Sequence, residues 1–160
     1  MDVFEAKKLI ETGNIYSGKT HEIFGFGFTI IDDCLGKIFI PRSLSGVLGD
    51  DTDLSILFGR NILFKLLDYN DQRNCFIASS QAVVNEKISS LEPFDFDNLH
   101  IGNTYYGIVE YVGKYGVFIN LGGMVGFAPT YDSLNSQSVA AGSSVSVVIG
   151  NIDTERKESH

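Results

Sequence analysis

The chain has 160 residues and a formal net charge of −8, and this length allows either one ordinary domain or two small ones. Its 17 glycines, 12 phenylalanines and 7 tyrosines, with no tryptophan, are typical of short aromatic strands joined by tight turns. No apolar run is long enough to cross a membrane, and the charged N-terminus has no signal-peptide core. These features exclude a membrane-spanning class and predict a cytoplasmic protein.

The first predicted element is a short amphipathic helix over residues 1–11. Phe4, Leu9 and Ile10 are its apolar residues, and Gly13 is a typical stop signal just beyond it. We expect this helix to cover one end of the domain that follows.

Residues 12–83 and 98–160 are predicted to be two copies of one fold, because the chain matches itself in order. The matches are GKTHEIFGFGFTIID from Gly18 with GIVEYVGKYGVFINL from Gly107, GKIFIPRS from Gly36 with MVGFAPTY from Met124, and GRNILFKLLDYNDQR from Gly59 with GSSVSVVIGNIDTER from Gly142. Their offsets are 89, 88 and 83 residues. The offset changes only between predicted strands, and loops tolerate such changes in length.

Each copy is predicted to be an all-β barrel of five short strands. In copy two the string SVSVV alternates, so Val145 and Val147 should face the same way. Copy one continues past Arg73 into a fifth strand, NCFIASS, whereas copy two reaches RKESH where that strand should begin. We therefore expect the second barrel to lack its last strand, with a polar linker over residues 84–97 between the copies.

Copy two carries a series of landmarks in fixed order. They are Gly107-x-Val109, Tyr115-Gly-x-Phe118, Leu121-Gly-Gly, Gly126-Phe127, and Ile152-Asp153 before Glu155-Arg156. Together with GKIFIPRS and NILFKLLDYNDQRNCFIASSQAV in copy one, these landmarks resemble the RNA-binding module named after bacterial ribosomal protein S-one. The resemblance covers nearly the whole chain, and it implies the five-stranded oligonucleotide-binding (OB) fold for each copy.

The resemblance implies a face that binds single-stranded RNA, mRNA in particular, in translation or RNA metabolism. It assigns base stacking to Tyr115 and Phe118 and phosphate contacts at the rim to Lys114, Arg156 and Lys157. The bland alternative for the three basic residues is ordinary solvated surface charge.

Copy one matches this face incompletely. Phe26 and Arg73 correspond to the tyrosine and the arginine of copy two, but Thr29 stands where the phenylalanine should be. Phe28, one residue earlier, should face the opposite side of its strand. Copy two is therefore expected to be the better RNA contact.

Two features favour a different function, docking onto a ribosomal protein or another part of an RNA-processing machine. The net charge of −8 is unfavourable for phosphate contacts. RNA-binding modules of the family usually carry histidine where Pro41 and Pro129 stand, so a stacking partner is missing from both copies.

Aromatic residues on barrel strands more often fill the interior than bind a ligand, because a small barrel needs bulky side chains. On this ground Phe39, Phe64, Phe76 and Phe127 are predicted to be core residues. The histidines are scattered, no phosphate-binding loop is complete, and no nucleophile has a base partner. The sequence thus predicts a non-enzyme with no metal or cofactor.

Overall fold

The computed structural model describes residues 1–129, 139–150, 152–153 and 158–159, the last two pairs as backbone alone. Within them the helices are α1 (Val3–Glu11) and α2 (Ser80–Ser89). The strands are β1 (Ile15–Phe24), β2 (Gly27–Asp32), β3 (Gly36–Pro41), β4 (Asn61–Asn70), β5 (Cys75–Ser79), β6 (Thr104–Val112), β7 (Gly116–Asn120), β8 (Val125–Pro129), β9 (Ser144–Val148), β10 (Ile152–Asp153) and β11 (Glu158–Ser159). No helix of the described residues is long and apolar enough to cross a membrane.

The first copy is a closed barrel with strand order β1-β2-β3-β5-β4, in which β3 and β5 run parallel. Fully buried Phe28, Phe64 and Phe76 fill its interior. The predictions that Phe64 and Phe76 are core residues and that Phe28 faces inward are therefore confirmed. An interior of bulky rings is what a barrel of this size requires.

Helix α1 packs against β4 of this barrel. The Asp2 side chain caps its N-terminus, accepting a hydrogen bond from the Glu5 N–H at 2.8 Å. Ala6 is fully buried, and Leu9 and Ile10 pack against the core. Phe4, which the sequence grouped with these apolar residues, is instead 66% exposed.

The internal repeat predicted from the sequence is present in the strand pairing. Ile23 pairs with Phe28 in copy one and Val112 with Val117 in copy two, at the predicted offset of 89 residues. The repeat also explains why Gly18 and Gly107, at equivalent positions, are both glycine: each leaves room for an isoleucine of the next strand. A Cβ on Gly18 would lie 2.7 Å from Ile30 Cγ2, and one on Gly107 would lie 2.6 Å from the Cγ2 of the equivalent isoleucine.

The second copy does not close among the described residues. Its main sheet has four strands in the order β8-β7-β6-β9, which repeats the β3-β2-β1-β4 portion of the first barrel. The prediction of a five-stranded barrel is thus confirmed for the first copy alone, and the four-stranded sheet agrees with the expectation that the second copy lacks its last strand. The predicted alternation in β9 is present, since Val145 is buried while Ser144 and Ser146 are exposed.

A remnant of the fifth strand is nevertheless visible beside this sheet. Asp153 of β10 pairs with Glu158 of β11, just as Asn70 of β4 pairs with Cys75 of β5, 83 residues earlier. Strand β11 lies against β8, as β5 lies against β3. Two residues of β11 pair where β5 has five, and a contact this short does not close a barrel.

Helix α2 occupies a region that was predicted to contain a polar linker, and the sequence reasoning did not anticipate it. The Ser79 hydroxyl caps the helix by accepting from the Ala82 N–H at 3.0 Å. Val83 and Val84 are fully buried, and α2 contacts both β4 and β6. A helix that packs against two sheets need not show one clean apolar stripe, which is why its pattern was overlooked.

The two copies pack directly on one another. Val112 at the end of β6 donates its N–H to the Gly46 carbonyl at 2.8 Å and accepts from the Leu48 N–H at 2.9 Å. The Lys87 ammonium of α2 donates to the Gly142 carbonyl at 2.8 Å. One hydrophobic cluster contains residues of both copies, so the copies form a single packed unit.

Candidate nucleic-acid interface

The β6–β7 turn of copy two presents an exposed aromatic ring beside a cation. Tyr115 is 71% exposed, and the Lys114 ammonium lies 5.6 Å from the centre of its ring. The Gly113 N–H donates to the Gly116 carbonyl at 2.8 Å, which closes the turn and directs both side chains outward. Tyr115 and Lys114 thus lie together, as the sequence analysis assumed.

An aromatic row continues from this turn across the outer face of the sheet. Phe118 of β7 pairs with Phe127 of β8, and their ring centres are 5.0 Å apart. Tyr111 of β6 pairs with Phe118 from the other side. Directly paired residues of antiparallel strands project from the same face, so the three rings form one row. We call Tyr111, Phe118 and Phe127 the aromatic row.

Phe127 was predicted to be a core residue, and this prediction is wrong. Its neighbour Ala128 is buried, so alternation along β8 turns Phe127 to the outer face, where it is half-buried. The same correction applies to Phe39, which lies half-buried between fully buried Ile38 and Ile40. Alternation along each strand could have identified both outward-facing residues.

Tyr111 was missed for a different reason. Its strand contains an irregularity between Val109 and Tyr111, where the pairing with β7 shifts by one residue. A bulge of this kind changes which side of the strand each later residue faces. Simple alternation from buried Val109 would have turned Tyr111 inward, so the sequence held no usable signal for it.

Gly116 allows the Phe127 ring of the aromatic row to lie directly over the backbone of β7. A Cβ on Gly116 would lie 2.9 Å from Phe127 Cζ and 2.2 Å from the Ala128 carbonyl oxygen. The equivalent Gly27 of copy one would bring a Cβ to within 2.4 Å of Phe39 Cζ. In both copies the ring from the third strand therefore crosses a residue that has no side chain.

Copy one carries a different aromatic arrangement on the corresponding face. Phe24 and Phe26 stack with ring centres 5.3 Å apart and planes 7° from parallel. Phe26 also lies 5.8 Å from Phe39 and is 68% exposed, close to the exposure of Tyr115. Thr29 adds no ring here, since it is buried with its hydroxyl accepting from the Glu22 N–H.

Arg73, the other predicted site residue of copy one, lies far from Phe26. It is exposed in the β4–β5 turn, close to Cys75, the residue that pairs with Lys37 at the start of β3. Burial raises the pKa of the Cys75 thiol, and the positive charges of Lys37 and Arg73 oppose this shift because both lie near it. Phe26 lies instead beside Pro41 at the end of β3. The four residue steps between these ends span roughly 13 Å. The structure therefore does not bring Phe26 and Arg73 together.

Arg156 and Lys157, the predicted rim residues of copy two, lie outside the described residues.

A loop of copy one lies between the exposed turns of the two copies. At one end the Arg42 N–H donates to the Phe26 carbonyl at 2.9 Å, and farther along the Leu48 N–H donates to the Val112 carbonyl at 2.9 Å. The loop then continues into Asp50 and Asp51, which are exposed. The loop thus contacts both copies, and its carboxylates lie beside the β1–β2 turn of copy one.

No group of three or more histidine, cysteine or acidic side chains among the described residues is placed to hold a metal ion. The two cysteines do not form a disulfide, and burial raises the pKa of the Cys75 thiol. The described surface instead presents exposed Phe26 and Tyr115 in the first turn of each copy and half-buried rings on β7 and β8. The closed five-stranded barrel of copy one is consistent with the OB fold.

Sequence comparison relates the chain to bacterial ribosomal proteins. It is 30% identical over 125 residues to small ribosomal subunit protein bS1 of Neisseria meningitidis serogroup B, which covers 78% of the chain and 22% of that protein. It is 26% identical to the bS1 protein of Pseudomonas aeruginosa, covering 95% of the chain and 26% of that protein. It is 27% identical to the bS1 homologue of Bacillus cereus, covering 76% of the chain and 31% of that protein.

These similarities confirm the resemblance to the ribosomal S-one family: over most of its length the chain is a relative of bS1 proteins. The chain spans between a fifth and a third of the length of these relatives. No protein-family model matches it. In a comparison of structures, a multidomain protein with nucleic acid binding domains from Streptococcus pneumoniae matches 91% of this chain and 49% of its own chain, at 14% sequence identity. Its TM-score is 0.44, too low to carry an argument.

Proposed function

We propose that the chain binds single-stranded RNA on the outer face of its second sheet, in translation or RNA metabolism. The observation that carries this proposal is the aromatic row next to exposed Tyr115 and Lys114. The relatives are named as proteins of the small ribosomal subunit, where RNA is abundant. We propose mRNA as the ligand, with ribosomal proteins as further partners.

Binding at this face would rest on stacking supplemented by a few charges. Each base stacked on an aromatic side chain contributes about 1–3 kcal/mol, so two stacked bases supply about 2–6 kcal/mol and phosphate contacts must add to them. Tyr115 and Phe118 would each take a base, while Phe127 supports the Phe118 ring from the next strand. Lys114, Arg156 and Lys157 would contact phosphates at the rim. The proposed activity is binding, and it involves no catalytic step.

Fluorescence anisotropy with a short labelled RNA at low salt tests the proposal. The double variant Tyr115→Ala, Phe118→Ala should bind at least tenfold more weakly, because two stacking contacts of about 1–3 kcal/mol are lost. The matched control is Phe26→Ala, which removes an equally exposed ring from copy one and should change the affinity less than twofold. Unchanged binding by the double variant, or no binding by the parent chain at high micromolar concentration, would overturn the proposal.

The rim cations can be tested separately through salt dependence. Replacing Lys114, Arg156 or Lys157 by glutamine should reduce the slope of log affinity against log salt by nearly one for each phosphate contact. A variant that weakens binding with no change in slope acts by another route, and its residue then leaves the proposed site.

A second candidate function, protein docking, is favoured by a specific observation. Copy one presents its exposed Phe24–Phe26 pair next to carboxylates, a combination unsuited to phosphate. Proline replaces the usual histidine of the family at Pro41 and Pro129. In this alternative a ribosomal protein occupies the exposed face of copy one, and copy one makes no RNA contact. Recovery of the same protein partner before and after RNase treatment supports docking, and recovery of RNA alone argues against it.

A further inference from the structure

An open groove of about 430 Å³ lies at the β1–β2 turn of copy one. Its lining includes Phe24 and Gly25 of the turn, Arg42, and the loop from Asp50 to Leu54. Phe26 projects from the same turn and stacks on Phe24. We call this feature the acidic groove. It is distinct from the aromatic row, which lies on the second sheet.

The charge in the acidic groove is mainly negative. Asp50, Asp51 and Asp53 are exposed there. The Ser55 N–H donates to the Asp53 carboxylate at 2.9 Å and lowers the pKa of that group, which is therefore ionised at neutral pH. Arg42 contributes one opposing charge, but its guanidinium donates to the Gly49 carbonyl at 2.9 Å and to the Thr52 carbonyl. Its hydrogen bonds hold the loop in place.

The rim of the groove adds exposed aromatic surface. Phe26 is 68% exposed and Phe24 is 38% exposed, and their rings stack nearly parallel. Rings of this kind attract a cation over their faces, and arginine also stacks on them through its planar guanidinium. The neighbouring carboxylates can receive the two parallel N–H groups of the same guanidinium. Phosphate would be repelled by those carboxylates.

We propose that the acidic groove docks an extended, arginine-rich segment of a protein partner. Charge complementarity selects the occupant, since aromatic faces beside carboxylates match guanidinium groups. The proposal deepens the docking function and rests on it, whereas it is independent of RNA binding by copy two. An extended segment fits this site because the groove is open and its lining comes from a turn and a loop, so a chain can lie along it with its side chains against the rings and carboxylates.

The probe is a fluorescein-labelled peptide of alternating arginine and serine, titrated by anisotropy into the full chain at low salt. A lysine–serine peptide of the same length and charge is the matched control for the probe. The arginine peptide should bind at least twofold more tightly, because lysine cannot stack or pair bidentately. Equal binding of both peptides would mean non-specific attraction to an acidic protein and would overturn the proposal.

Variants locate the site. Phe26→Ala should weaken binding of the arginine peptide about two- to fivefold, and Asp50→Asn combined with Asp51→Asn should weaken it by a similar factor. All three side chains are exposed, so each variant should keep the unfolding midpoint of the parent. The control is Tyr115→Ala with Phe118→Ala, which should leave peptide binding unchanged.

The same variants separate this proposal from RNA binding. If the peptide responds to the Phe26 and aspartate variants while RNA responds to the Tyr115 and Phe118 variant, both proposals are supported. If the peptide responds only to the Tyr115 and Phe118 variant, the acidic groove is not its site and this inference is overturned. If RNA binding is lost in Phe26→Ala, the groove contacts RNA, which also overturns it.

Discussion

The two copies have similar interiors but differ on their outer faces. Gly18 and Gly107 both make room for an isoleucine from the next strand, which is buried in each copy. On the outer face, by contrast, Thr29 of copy one stands in the place of Phe118. Packing restricts the interior much more tightly than solvent restricts a surface. The repeat therefore preserves the fold while each copy presents a different surface.

Charge widens the difference between these faces. Copy one places Asp50 and Asp51 next to its exposed rings, whereas copy two places Lys114 next to Tyr115. An aromatic ring serves equally for stacking a base or a guanidinium. The neighbouring charges decide which ligand is favoured, so similar rings support two different proposals in one chain.

The largest expected effect is on stability, and it compares a side chain inside the closed barrel with its counterpart in the open sheet. Phe64→Ala should lower the free energy of unfolding by about 3–5 kcal/mol, because the ring is fully buried in the closed barrel. Val147, its counterpart 83 residues later in the open sheet, is only partly buried. Val147→Ala should therefore cost about 1 kcal/mol. Urea unfolding followed by circular dichroism measures both, and equal losses would show that the second sheet is as tightly packed as the barrel.

An intermediate effect is expected for the repeated close approach of glycine and phenylalanine. Gly27→Ala should destabilise the chain by about 1–3 kcal/mol, because the new Cβ would lie 2.4 Å from Phe39 Cζ and 2.6 Å from the Ile40 carbonyl oxygen. The neighbouring Gly25 is the control, since a Cβ there meets nothing within 4 Å. Thermal unfolding of the two variants compares them directly. A Gly25→Ala variant as unstable as Gly27→Ala would contradict the packing argument.

The smallest expected effect concerns RNA and the acidic residues of the loop beside the β1–β2 turn. Asp50→Asn with Asp51→Asn should raise RNA affinity about two- to threefold at low salt, since repulsion of phosphate from an exposed loop is modest and screened. The gain should disappear at high salt, which anisotropy titrations at two ionic strengths would detect. The same substitutions weaken binding of the arginine peptide if the acidic groove is its site. A fall in RNA affinity would show that the loop assists RNA binding.

Several features of this protein could be predicted from single residues and their spacing. The repeat offsets reappear in the strand register, and Gly13 follows the first helix with a φ of 66°. The exposure of Tyr115 and the burial of Phe64 also agree with the sequence analysis. Each of these depends on local patterns of glycine and apolar residues.

Other features depended on contacts that no local pattern records. Helix α2 is stabilised by burial of Val83 and Val84 between the copies, so its sequence did not show an amphipathic stripe. Tyr111 joins the aromatic row because a bulge in β6 turns it outward. Arg73 and Phe26 match the family pattern in sequence, yet opposite ends of β3 hold them apart.

The sequence by itself determined that this protein contains a repeated small β-fold related to bS1 proteins, because the spacing of interior apolar residues and of turn glycines is a property of short stretches of the chain. The tertiary structure decided which rings share a face and which charges stand beside them. Those properties depend on strand pairing between distant residues and on the packing of one copy against the other. The contact of the loop after β3 with the second copy is one such property, since a hydrogen bond from Leu48 to Val112 forms it.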